Sequence, residues 1–170
     1  ARKFNREIQR IITTSEYSSA FPETQVSSQN KTSETNYLQN ADEFEIVGRR
    51  GSLKSVGRQG ALTGNPVDIL IMDDLYKDSL EANSPVIREN VWDWYLTVAD
   101  TRLHNDSQQL IVFTRWHEDD LVGRIENAEK VTTITSFGEI KDTDPDSWVK
   151  INFPAIQEDD KTDIDLRERG

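Results

Sequence analysis

The feature that most constrains this chain is the run from Val67 to Met72, which ends in two adjacent acids, Asp73 and Asp74. Short continuous apolar runs of this kind belong to parallel strands covered on both faces. Open parallel sheets place their ligands at the carboxyl ends of the strands, so such a strand delivers two carboxylates to the edge where chemistry is done. In nucleotide hydrolysis this is the Walker B arrangement: one acid holds Mg²⁺, usually through water, and the other orients the attacking water. Four apolar residues followed by two acids also occur by chance and can simply begin a turn.

A second strand of the same character strengthens the first. Leu110 to Phe113 is apolar and leads into Thr114-Arg115-Trp116-His117, a tip with hydrogen-bonding and charged groups. Between the two strands Ser84-Pro85 opens a helix, with Ser as N-cap and Pro at the first helical position. Ile87, Val91, Trp94, Tyr95 and Val98 recur at helical spacing and carry that helix to about Leu103. Glu118, Asp119 and Asp120 suit the start of a further helix, whose free N–H groups and dipole favour negative charge.

The remaining chain is less patterned. Residues 2 to 13 read as an amphipathic helix with Phe4, Ile8, Ile11 and Ile12 on one face. Gln25 to Asp42 is polar and without apolar period, a long connector. Phe44 to Val47 and Leu53 to Val56 suggest a hairpin across Gly48 to Ser52, and Val131 to Phe137 and Trp148 to Phe153 suggest further strands. Glu158 to Gly170 reads as a charged linker. The length of 170 residues suits about one domain.

Charge and composition narrow the function classes. With 31 acids against 20 bases the net charge of -11 repels phosphate backbones at long range. A self-sufficient nucleic-acid binder is therefore disfavoured, although Arg49, Arg50, Lys54 and Arg58 form a local basic patch able to contact DNA phosphates or a neighbouring subunit's nucleotide. A solvated hairpin accounts for the same patch. There is no Cys, so disulfides and thiolate metal sites are excluded, and two His are too few for a His-based metal cluster. No apolar stretch approaches the roughly 20 residues needed to span a bilayer. Trp94 and Tyr95 fit a core better than a base-stacking surface. His117 fits a hydrogen-bonding residue at a strand end better than a metal ligand.

Four blocks together resemble the large terminase subunits of tailed phages: Gly60-Ala61-Leu62-Thr63-Gly64, Ile69 to Asp74, Glu81-Ala82-Asn83-Ser84, and Val112 to Leu121. Their order and approximate spacing match as well. The likeness runs from the opening helix and Phe21-Pro22 to Phe153-Pro154-Ala155, and the Thr-Arg-Trp-His-Glu-Asp-Asp-Leu block is its most specific part. The resemblance implies a three-layer α/β fold of the additional-strand, catalytic-glutamate class of P-loop motors, with residues 1–157 as part of its ATPase domain. It also implies a strand order in which Ile69 to Met72 pairs in parallel with Leu110 to Phe113. Residues 158–170 would then lead toward a nuclease domain.

By the same resemblance Asp73 is the Walker B magnesium residue, and Asp74 takes the place of the catalytic glutamate, one methylene shorter. Thr114 is the coupling residue that senses the γ-phosphate, and Arg115 contacts phosphate or instead pairs with Asp119 or Asp120. ATP and Mg²⁺ are the implied cofactors. Double-stranded DNA, the portal protein, the small terminase subunit and further copies of the chain are the implied partners, in the cytoplasm of an infected bacterium. The family's phosphate-gripping Gly-x-x-x-x-Gly-Lys-Ser/Thr loop does not occur: Gly48 to Ser55 contains Lys-Ser, but Leu53 stands where the second Gly belongs. The chain opens at Ala1, which suggests a piece of a longer protein. Two rivals stand beside this reading. One is a metal-dependent nuclease, using Asp73, Asp74 and one of Asp119 or Asp120. The other is a non-enzymatic module that docks its acidic surface on a portal or adaptor.

Overall fold

The computed structural model describes residues 2–27, 37–58, 60, 62, 66–134, 139–140, 144 and 146–153. It is a mixed α/β structure with short parallel strand pairs. The residues gather into two compact units, one of Ala1–Asp68 with Val98–Ser107, the other of Ile69–Thr97 with Gln108–Gly170. The linker expected at 158–170 and the block from Gly60 to Gly64, apart from residues 60 and 62, lie outside the described residues.

In the first unit α1 (Arg2–Ile12) is followed by the short α2 (Ser15–Ala20), capped by the Thr14 hydroxyl. Only part of the expected apolar face of α1 turns inward: Ile12 is buried together with Asn5, and Ile8 is half-buried, whereas Phe4 and Ile11 are exposed. The cause is polar. Asn5 donates to the Asp42 carbonyl at 3.1 Å, Gln9 donates to Asn5 Oδ1 at 2.6 Å and to the Asn40 carbonyl at 2.8 Å, and Gln39 donates to Gln9 Oε1 at 3.2 Å. This amide ladder fixes which side of α1 faces inward, because a buried Asn is tolerated only when it is satisfied.

The hairpin forms as β1 (Glu43–Glu45) and β2 (Ser52–Lys54), antiparallel with Phe44 opposite Leu53. Gly48 and Gly51 in its turn have φ of 72° and 110°, values that side-chain-bearing residues rarely adopt. Phe44 is buried. The connector before the hairpin contributes isolated bridges at Val26 to Ile46 and Gln39 to Phe44.

β3 (Val67–Asp73) and β4 (Leu103–Val112) form a two-stranded sheet. Ser107 Oγ donates to the Val67 carbonyl near one end, and the Asp74 N–H donates to the Val112 carbonyl at the other, so the strands run the same way. Such a pair needs a crossover. Here it consists of α3 (Ser79–Asn83), α4 (Pro85–Trp94), a π-helical turn at Tyr95–Ala99 and a 3₁₀ turn at Asp100–Arg102. Ser84 caps α4 with Pro85 in its first turn, as its sequence predicts, and Val91 and Tyr95 are buried. The α-helix itself stops at Trp94, short of the predicted Leu103.

The expectation that the Val67 to Met72 strand is covered on both faces is corrected. Leu70 and Met72 are buried, but Ile69 and Ile71 face outward, and on β4 Leu110 and Val112 do the same. Among the described residues one face of β3 is buried, through Leu70 and Met72, and the other is exposed. Farther on, α5 (Leu121–Ala128) leads to β5 (Val131–Thr133), which pairs in parallel with β6 (Trp148–Lys150), Val131 beside Trp148. These two strands pair with each other, and among the described residues β4 is bonded to β3 alone.

Candidate functional site

Asp73 and Asp74 stand where β3 ends, on the exposed surface. Asp74 has φ of 51°, so the chain leaves the strand through the left-handed region. Asp tolerates that region better than most residues, and non-glycine residues held there gather at functional sites. Its N–H donates to the Val112 carbonyl at 3.1 Å, which ties the acidic tip of β3 to the end of β4. Two residues beyond that carbonyl is Thr114, exposed, whose hydroxyl has no hydrogen-bond partner among the described residues. The fold therefore brings Asp73, Asp74 and Thr114 to the same end of the sheet.

Neither carboxylate is paired with a cation among the described residues. Two solvent-facing carboxylates at a strand end suit a hard cation that keeps most of its water, as Mg²⁺ does. A cage made wholly of protein ligands is a different matter: among the described residues no group of three His, Asp or Glu side chains could hold a metal ion.

The segment after Thr114 is shaped by ion pairs. Arg115 donates Nε–H to Asp120 at 2.6 Å, a second N–H to Glu126 at 3.3 Å and a third to the Glu118 carbonyl at 3.4 Å. Its guanidinium is thus held by acids of its own loop and of α5. Asp120 is fully buried and caps α5 through the Gly123 N–H at 3.0 Å. The His117 ring accepts the Asp119 N–H at 2.9 Å, a loop-closing bond at the strand end. Trp116 is exposed.

Asp119 is held by two guanidiniums. Arg124 donates to both its oxygens at 2.9 and 3.1 Å, and Arg88 donates from α4 at 3.0 Å. The bonds from Arg124 first, then those from Arg88, hold its carboxyl down to about 2. Arg88 is buried and also donates to the Ala82 carbonyl at 2.8 Å, and Arg124 reaches Glu89 at 2.8 Å. The loop carrying Thr114 is pinned to α4 by Asp119 and to α5 by Asp120.

Sequence reasoning passed over three residues of this frame. Arg88 shares the inward face of α4 with Val91, in the period that buried Tyr95 continues just past the helix, and that place was its signal. Tyr76, three residues after Asp73, is buried, and its ring meets Phe113 edge-on with centroids 6.2 Å apart, which packs the two strand exits together. Burial pushes its phenol up. Gly123 sits so close to the loop that a Cβ there would lie 1.8 Å from the Glu118 carbonyl oxygen.

The basic patch on the hairpin is partly neutralised. Arg49 pairs with Glu23, and Lys54 lies 4.0 Å from Glu43. Arg50 is exposed, and Arg58 is half-buried with a partner of its own. All four belong to the first unit, whereas Asp73, Asp74 and Thr114 belong to the second. No described helix is long and apolar enough to cross a membrane. No protein-family model and no curated protein matches this sequence.

Proposed function

We propose that this chain is part of the ATPase motor of a phage large terminase, a P-loop-type domain of the additional-strand, catalytic-glutamate class. The observation that carries the reading is the pairing of β3 with β4. Two parallel strands joined by a helical crossover end side by side, one in Asp73-Asp74 and the other in Thr114, tied by the Asp74 N–H to the Val112 carbonyl. That is the adjacency the resemblance implies for a Walker B strand and a coupling strand.

In this reading Asp73 would hold Mg²⁺ through water, and the cation would supply neutralisation of phosphate charge. Asp74 orients the attacking water, its carboxylate aimed by the left-handed turn. Thr114 senses the γ-phosphate and passes its state to the loop that Asp119 and Asp120 anchor. Arg115, engaged by Asp120 and Glu126, acts as a brace for that loop. The work done is the driving of double-stranded DNA through a portal in the infected bacterial cytoplasm, with the small terminase subunit as partner.

The nuclease reading has less support. Asp119 and Asp120, the acids it needs beside Asp73 and Asp74, are spent on Arg88, Arg124 and Arg115. The deciding experiment uses the complete motor protein. There Asp73→Asn is expected to abolish Mg²⁺-dependent hydrolysis, and Asp74→Asn to leave ATP bound but slow turnover by about a hundredfold, the scale of a lost water-orienting group. Wild-type turnover in either variant would remove that residue from its role.

A further inference from the structure

We propose that Arg88 is a positioning residue that holds Thr114 in register with Asp73 and Asp74. The chain leaves β3 through residues 75–83 and leaves β4 through residues 114–120, and one buried guanidinium bonds both exits. Its Nη1–H donates to the Ala82 carbonyl at 2.8 Å, within α3, and its Nε–H donates to Asp119 at 3.0 Å, in the loop after Thr114. Nearer the tip, the edge-on rings of Tyr76 and Phe113 pack the same exits together. Ring packing tolerates sliding, whereas two bonds from one planar group fix direction as well as distance.

Stability alone does not account for Arg88. A guanidinium is costly to remove from water, and an apolar side chain of similar volume at such a site is commonly neutral or stabilising. The other buried residue of α4 is Val91, so an apolar side chain would suit this face. Asp119 is satisfied without Arg88, because Arg124 reaches both of its oxygens and its side chain is 44% exposed. What Arg88 adds is the tie from α3 and α4 to the loop that begins at Thr114.

Arg124 makes the matching tie from α5 and reaches back to Glu89 on α4 at 2.8 Å, so the loop is gripped between the two helices. Every residue of this clamp lies in the second unit, together with Asp73, Asp74 and Thr114. The effect of Arg88 on turnover rests on the motor reading above. Its effect on the two exits does not.

Amide hydrogen exchange of the full chain tests the clamp without nucleotide. Arg88→Met keeps a stem to fill the site and loses the donors. The Asp74 amide, bonded to the Val112 carbonyl where the exits diverge, should exchange about tenfold faster in this variant, the scale of one charged hydrogen bond lost locally. Amides farther back on β3 should keep their rates, which a general loss of stability would not allow. Arg88→Lys, with one ammonium in place of the fork, should fall between the two. In the complete motor protein Arg88→Met should lower kcat by about tenfold or more and leave KM for ATP within about twofold, since a misplaced group costs rate before binding. An Asp74 amide that exchanges at the wild-type rate in Arg88→Met, or acceleration spread evenly along β3 in both variants, would overturn the positioning role. So would wild-type kcat in Arg88→Met where Asp73→Asn abolishes turnover. Wild-type turnover in both of those variants would remove the motor reading instead, and the exchange of Asp74 would still decide the clamp.

Discussion

Arg88 reaches from the buried side of α4 to Asp119 at 3.0 Å, and this bond joins the crossover between the two parallel strands to the loop that follows the second. Asp119→Ala would leave the Arg88 guanidinium with only the Ala82 carbonyl in a buried site. The expected loss is about 1–2 kcal/mol, the lower part of the range for hydrogen bonds to charged groups because the carboxylate is half exposed. Urea denaturation at neutral pH measures it. An unchanged midpoint would show that the loop is held by Asp120 alone.

The same carboxylate dictates a response to acid. Its folded pKa of about 2 lies below the ordinary 3.8, so the stability it contributes is complete above about pH 4 and is lost as pH falls toward 2. Glu126, lowered chiefly by its bond from Lys150, adds to the same trend. Thermal melts should be level from pH 7 to 5 and decline below 4, with a shallower decline in Asp119→Asn. Equal slopes in the two proteins would exclude Asp119 as a source.

Gly123→Ala separates helix propensity from packing. In a helix interior Ala is favoured over Gly by about 1 kcal/mol. Here the new Cβ would lie 1.8 Å from the Glu118 carbonyl, a backbone atom that cannot swing aside. Over-packing of this kind costs about 1–3 kcal/mol or more, so a net destabilisation is expected in denaturant titration. Stabilisation would mean that the loop relaxes freely and does not hold Thr114 in place.

Asp74 offers a test of the left-handed exit from β3. Asp74→Gly should be more stable than Asp74→Ala by about 1 kcal/mol, since a methyl side chain is penalised at positive φ and glycine is not. Matched unfolding curves of the two variants would place residue 74 in an ordinary backbone region.

What the sequence made legible was whatever depended on local pattern. Ser84-Pro85 marked a helix start, and the apolar runs ending at Met72 and Phe113 marked two strands whose tips carry Asp73, Asp74 and Thr114, because caps and strand exits are written in adjacent residues. The direction of burial was not legible. Phe4 and Ile11 look like a core face until Asn5 and Gln9 are seen bonding to Asp42 and Asn40, partners far away in sequence. Ile69 and Ile71 were misjudged for a related reason: an apolar run shows that a strand can be covered on both faces, not that cover is present. The fate of Arg115 was open between phosphate and acid, and only the loop geometry brings it onto Asp120.

The proposed role of Asp73 and Asp74 as a cation-binding tip beside Thr114 is tested most directly by Mn²⁺-induced broadening of backbone amide resonances. Mn²⁺ stands in for Mg²⁺ at oxygen sites and broadens the amides nearest to it. At low Mn²⁺ the amides of Asp73, Asp74 and Thr114 are expected to broaden first, and Asp73→Asn to remove this effect while other weak sites on the acidic surface respond as before. Broadening that begins elsewhere, or that is the same in Asp73→Asn, would contradict it.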